Sequence, residues 1–272
     1  VTVTQVRDDI ELYLRLVRAR LRAQLQYRGS FLMMVVVSFF GMASELVAVV
    51  ILLGAFGNVA GWDVGEIALL YGLAGTAFGL SEMVGAGFDL FPATIRRGEF
   101  DQVLLRPASI FAQVMASDFQ LRRISRIAQA LVALVLAARW TTIDWTLTKA
   151  LYLPLVIACG AVMFTSIFML GATLCFWTVE SIEMINSLTN GGTELSSYPM
   201  PIYHEMMQRL FTFVIPLAFV AYVPALYLLD RPEARDWPRW LPLLPPVAAV
   251  AIALVARVAW SFGVRHYRST GS

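Results

Sequence analysis

Residues 150–178, ALYLPLVIACGAVMFTSIFMLGATLCFWT, carry no charged side chain. At about 1.5 Å per residue, a helix of this length exceeds the roughly 30 Å hydrocarbon core of a bilayer. A soluble core does not require such a run, whereas a membrane does. The stretch therefore predicts a transmembrane helix.

Further runs extend from it in both directions. Residues 31–54 are apolar apart from Glu45, and 64–88 hold Glu66 at one end and Glu82 inside. Residues 119–140 form a third span, its apolar core within Ile124 to Trp140. Residues 241–264 form the last, with Arg257 near its end. Composition agrees, since 58% of the 272 residues are hydrophobic and 15% charged, against about 25% charged in soluble domains. Mean hydropathy is +0.69. A net charge of +2 argues against a nucleic-acid partner. Arg supplies every basic side chain except Lys149, which suits positions next to lipid phosphates.

The stretch 179–209 is polar for a span, with Glu180, Glu183, Asn186, Asn190 and Glu194. Residues 210–229 lack charge but contain Pro216 and Pro224. Hydropathy alone would make 210–229 the fifth span and leave 179–209 outside. Residues 1–30 place Ile10, Tyr13, Leu14, Val17, Leu21 and Leu25 at helical spacing, with Arg7, Glu11, Arg15, Arg18 and Arg22 on another face. This predicts an amphipathic helix lying along the headgroups. Fifteen of the 21 Lys and Arg residues fall in 1–30, 89–126 and 257–272. Both termini and the 89–126 loop are accordingly expected on the cytoplasmic side. The N-terminal residues lack a signal-peptide pattern, so insertion is expected to rest on the spans. No tandem or inverted repeat is visible.

No motif supplies catalysis. There is no G-x-x-x-x-G-K-[ST] phosphate loop, no H-E-x-x-H helix and no G-x-S-x-G elbow. Cys159 and Cys175 lie 16 residues apart on one predicted helix, about 24 Å along its axis, too far for a disulfide and too few for a metal site. No catalytic residue and no metal ligand set is expected. Glu45 and Glu82 are carboxylates within apolar runs, either lining a pathway or bracing helices against an Arg. Gly75-x-x-x-Gly79 permits close helix approach within or between subunits. The most informative segment is Phe91–Pro107, FPATIRRGEFDQVLLRP. Ile95, Phe100, Val103 and Leu104 fit one side of a short helix, with Arg96, Arg97, Glu99 and Asp101 facing outward.

These residues resemble the membrane subunit of type 2 ABC transporters, the six-span permeases that are mostly exporters. The loop Arg96-Arg97-Gly98-Glu99-Phe100-Asp101-Gln102-Val103-Leu104-Leu105-Arg106-Pro107 carries the likeness. So do Ala116-Ser117-Asp118-Phe119 with Arg122 and Arg123, Phe176–Ser181, Tyr198-Pro199, Phe213–Val220 and the tail from His266. The likeness runs over essentially the whole chain.

The resemblance implies an all-α polytopic fold: an amphipathic connecting helix in 1–30, then a six-span permease domain over 31–272. The spans would be 31–54, 64–88, 119–140, 150–178, 179–199 and 241–264, with re-entrant outer helices at 203–229. A coupling helix over 95–106 would seat in a cytoplasmic ATPase, with Arg96, Arg97, Glu99, Phe100, Asp101, Leu104 and Arg106 as its coupling residues. Two such ATPase subunits would bind ATP and Mg; the chain itself would bind no cofactor. A second permease, identical or related, would complete the pathway, for which Glu45, Glu82, Asn186, Asn190 and Glu194 are candidates. The bacterial cytoplasmic membrane is the implied location. A stand-alone carrier or channel using its intramembrane carboxylates, a lipid-modifying enzyme and a permease-like scaffold are the competing readings.

Overall fold

The computed structural model describes residues 3–26, 58–119, 121–178, 190–232, 238 and 240–267, together with 29, 32–41, 44, 47 and 51. Among them the protein is all-α and polytopic, with no strand beyond an isolated Val59–Trp62 bridge. The elements in chain order are α1 (Val3–Gln26), α2 (Leu32–Gly41), α3 (Val64–Asp89), α4 (Phe91–Arg96), α5 (Phe100–Leu104) and α6 (Ile110–Met115). After these come α7 (Ile124–Trp140), α8 (Leu147–Leu174), α9 (190–196), α10 (Glu205–Arg209), α11 (Tyr222–Leu228) and α12 (Leu244–His266).

Among the described residues, three helical stretches are long and apolar enough to cross a bilayer: Val64–Arg96, Leu147–Leu174 and Leu241–His266. A fourth exists if the bent pair 205–228 is one span. The expected start of span three at 119 shifts: a 3-10 turn occupies Leu121–Arg123 and the α-helix begins at Ile124. The expected 150–178 helix begins earlier and ends earlier, at 147 and 174. Thr146 caps it, its side chain accepting the Lys149 N–H at 3.3 Å. Of the expected first span only 32–41, 44, 47 and 51 are described, and 179–189 of the expected fifth span lie outside the described residues.

α3 is the central helix, 72% buried over its apolar window against 22% for the last helix. A reciprocal box starts it: Asp63 accepts the Glu66 N–H at 2.8 Å, and Glu66 accepts the Asp63 N–H at 2.9 Å. Its glycines meet α7. A Cβ at Gly72 would stand 2.6 Å from Leu134, one at Gly75 3.1 Å from Ala130, and one at Gly79 2.8 Å from Ile127. Gly75 and Gly79 therefore pack helices within this chain. α3 also packs along α8, which carries α12 on its other side.

Chain direction alternates, so α1, α4–α6, the start of α7 and the ends of α8 and α12 share one end of the bundle. The loop 58–63, the start of α8 and α11 share the other. At the latter, Lys149 is buried and donates to the Leu228 carbonyl at 2.9 Å and to Asp230. Arg231 stacks over Trp62 at 4.5 Å and bonds Glu66 at 2.9 Å, while Tyr152 donates to the Pro242 carbonyl at 2.7 Å.

The segment expected to re-enter is a helix pair, Glu205–Val214 and Leu217–Leu228, bent by 77°. The break comes at Ile215–Pro216, where proline drives the preceding residue out of helix (φ −118, ψ 94). Pro224, the other proline of 210–229, makes no break. That proline sits in the first turn of α11, where its missing N–H costs nothing.

Candidate coupling surface and intramembrane polar site

The 95–106 segment, expected as one helix, is two short helices. α4 stops at Arg96, Gly98 adopts φ +68 in the turn, and α5 runs from Phe100 to Leu104. Glycine accepts that left-handed backbone without the steric penalty of a Cβ. The reversal sorts the side chains. Arg96, Arg97, Glu99 and Arg106 are exposed, and Arg97 pairs with Glu99 at 3.0 Å. Leu104, expected on the inner side, is 40% exposed beside Leu105 at 85%. The shortened helix leaves it past the last buried turn.

Phe100 is completely buried, so it cannot itself be a contact surface for a partner. It is the anchor instead. Its ring lies 5.0 Å from Phe91, 5.8 Å from Phe176 beyond the end of α8, and 4.8 Å from Tyr267 beyond the end of α12. Trp260 and Phe88 extend the cluster into α12 and α3. Asp101, expected to face outward, accepts a hydrogen bond from the Tyr267 hydroxyl at 3.0 Å. Burial and that carboxylate both raise the Tyr267 phenol above its ordinary range, keeping it a donor. On the far side, Gln113 ties the α5–α6 turn by donating to the Ala108 carbonyl at 3.1 Å.

α1 attaches to the same end. Tyr13 donates to the Val84 carbonyl at 3.1 Å, and burial pushes its phenol up to about 12. Gln24 accepts the Leu121 N–H at 3.0 Å and donates to the Phe119 carbonyl. Ile10 and Leu14 remain exposed beside Arg15, Arg18, Arg20 and Arg22, as an interfacial helix requires.

Three expected pathway residues converge. Glu82 pairs with Arg126 at 2.9 Å, and the Arg126 guanidinium lies 5.0 Å above the Phe78 ring. Arg126, Tyr71, Gly75, Phe78 and Ala130 line a cavity of about 50 Å³ with Asn190, Thr193, Glu194 and Ser197. The last four occupy one face of α9 and the residue after it, at spacings of three, four and seven. Gln129 donates to the Tyr71 hydroxyl at 3.0 Å beside the cavity. Glu45 and Asn186 lie outside the described residues. A second, apolar groove of about 690 Å³ runs between α8, residues 212–219 and α12. Among the described residues no His, Cys, Asp or Glu group could hold a metal, and Cys159 and Cys175 are free thiols.

A family model described as ABC-2 family transporter protein matches residues 39–271. The chain belongs to this family. No curated protein and no solved structure matches it. As an ABC-2 membrane protein it is a permease component of an ABC transporter, a transport subunit that associates with an ABC ATPase.

Several residues of this permease were not legible in the sequence. In the sequence Arg126 stands among the loop charges of 89–126, whereas in the fold it neutralises Glu82. Tyr267 follows the last residue of α12 and joins Trp260 in the aromatic cluster only through the fold, with aromatic residues of the tail as the one signal in the sequence. The Lys149–Asp230 and Arg231–Glu66 pairs join residues far apart in sequence and had no local signal.

Proposed function

We propose that this permease forms half of the substrate pathway of an ATP-driven exporter in a bacterial cytoplasmic membrane, two permease subunits being worked by two cytoplasmic ATPase subunits. The exposed charges of Arg96, Arg97, Glu99 and Arg106 on a segment pinned by the buried Phe100 carry this reading. A partner gripping the outer face of α4–α5 pulls on a rigid aromatic block, so its displacement reaches α3, α8 and α12 together. ATP and Mg would be held by the ATPase chains, and their closure would switch the pathway between inward and outward access. Fifteen of the 21 Lys and Arg residues fall in 1–30, 89–126 and 257–272, segments whose described parts reach the α4–α5 end, which supports a cytoplasmic position for that end and both termini. The largely apolar interior favours hydrophobic or amphipathic solutes.

The test is charge reversal of Arg96 and Arg97 to Glu in cells carrying the native partner genes. The expected result is a folded permease that no longer co-purifies with its ATPase. Undiminished co-purification, or uphill pumping by vesicles containing the permease alone on a proton gradient, would overturn the reading.

A further inference from the structure

The polar cavity beside Arg126 lies deep in the bundle. Tyr71 and Phe78 are seven and fourteen residues into α3, about 10 and 21 Å from its start at ~1.5 Å per residue. That depth is well inside a hydrocarbon core of roughly 30 Å. Three ionisable side chains meet there: Glu82, Arg126 and Glu194. Arg126 is taken by Glu82 at 2.9 Å. Glu194 lines the cavity, is exposed, and forms no ion pair among the described residues. The site therefore carries one uncompensated carboxylate when all three groups are ionised.

A carboxylate at membrane depth is costly unless it faces a wet pathway or meets a counter-ion. Asn190 and Ser197 flank it on the same helix face and offer carbonyl and hydroxyl oxygens, whose negative dipole ends can face a cation whether or not it carries an N–H. An anionic solute would be repelled, and a neutral one would leave the charge unpaired.

We propose that Glu194, with Asn190 and Ser197, is the recognition point for a cationic group on the transported solute, making the substrates hydrophobic cations such as amphiphilic ammonium or phosphonium compounds. This rests on the transport reading above and narrows its substrate class. Glu194 would pair with the solute charge while the apolar surfaces hold the solute body, and Glu82–Arg126 would fix the opposite wall of the cavity.

The test uses the permease co-purified with its ATPase in lipid nanodiscs and two probes of nearly equal size and opposite charge, tetraphenylphosphonium and tetraphenylborate. Saturable tetraphenylphosphonium binding is expected, about ten-fold or more tighter than tetraphenylborate. Glu194→Gln should weaken the phosphonium by a similar factor, Glu194→Asp should keep most of it, and Glu194→Lys should turn the preference toward the borate. Thermal unfolding of each variant checks that the fold survives. Equal binding of both probes, absence of saturable phosphonium binding, or an unchanged phosphonium affinity in Glu194→Gln would overturn the assignment. If the ATPase does not co-purify at all, the transporter reading fails, while probe binding by the permease alone still decides the role of Glu194.

Discussion

Arg97 and Phe100 are three residues apart and have opposite surroundings. One is exposed and pairs with Glu99; the other is fully buried against Phe91, Phe176 and Tyr267. Their separation by a left-handed Gly98 divides the work of the segment: charge presents the surface and an aromatic ring holds it. Phe100→Ala is expected to cost roughly 3–5 kcal/mol by cavity formation, and Phe100→Leu clearly less. Thermal unfolding of the purified permease measures both, and a midpoint unchanged in Phe100→Ala would contradict the anchor role. At Gly87 a Cβ would stand 1.7 Å from the Val114 carbonyl oxygen, which is backbone and cannot step aside. Gly87→Ala is therefore expected to exceed the ~1–3 kcal/mol typical of overpacking and to abolish recovery of folded protein. Gly191 has open space around its Cβ position, so Gly191→Ala should fold normally in a side-by-side purification.

The bent helix pair shows how an element acquires its shape. Pro216 breaks the chain direction because it restricts Ile215, whereas Pro224 is harmless in the first turn of α11. Once bent, the pair depends on long-range ties for its position. Lys149 is the central one, since its ammonium is buried and serves both the Leu228 carbonyl and Asp230. Lys149→Met should lower stability by roughly 1–3 kcal/mol, because a buried carbonyl loses its donor. Limited proteolysis should then cut near residue 230 faster than in the wild type. Resistance equal to the wild type would show that Arg231 and Tyr152 hold the pair alone.

At the scale of the molecule, α1, the α4–α6 segment and the end of α12 gather at one end of a bundle built around α3. We propose from the base distribution that this end is cytoplasmic. Cysteine labelling in intact cells checks it, because both native thiols are buried. A membrane-impermeant maleimide is expected to label Asp144→Cys, in the exposed loop before α8, and to spare Arg97→Cys until the membrane is opened. Labelling of Arg97→Cys in sealed cells would invert the topology and remove the ATPase from its proposed docking face.

Much of this architecture is local and therefore readable along the chain. An uncharged run such as 150–178 has one low-energy option near a bilayer, a helix that satisfies its own backbone. Helical periodicity placed α1, while the asymmetry of Arg raises the expectation of cytoplasmic ends and of a coupling surface at the Arg96–Pro107 segment. Which of its side chains turn inward was decided by tertiary packing. Phe100 needs Phe176 and Tyr267, which arrive from helix ends about 75 and 165 residues further on, and no window of sequence contains all three. The same holds for Glu82, Arg126 and Glu194, three ionisable groups drawn from separate helices. Their individual charges are sequence facts, but which carboxylate is neutralised and which remains open depends on distances that only the packed bundle sets. Hydrophobic burial acts through local pattern, whereas ion pairing and aromatic contact act through proximity in space.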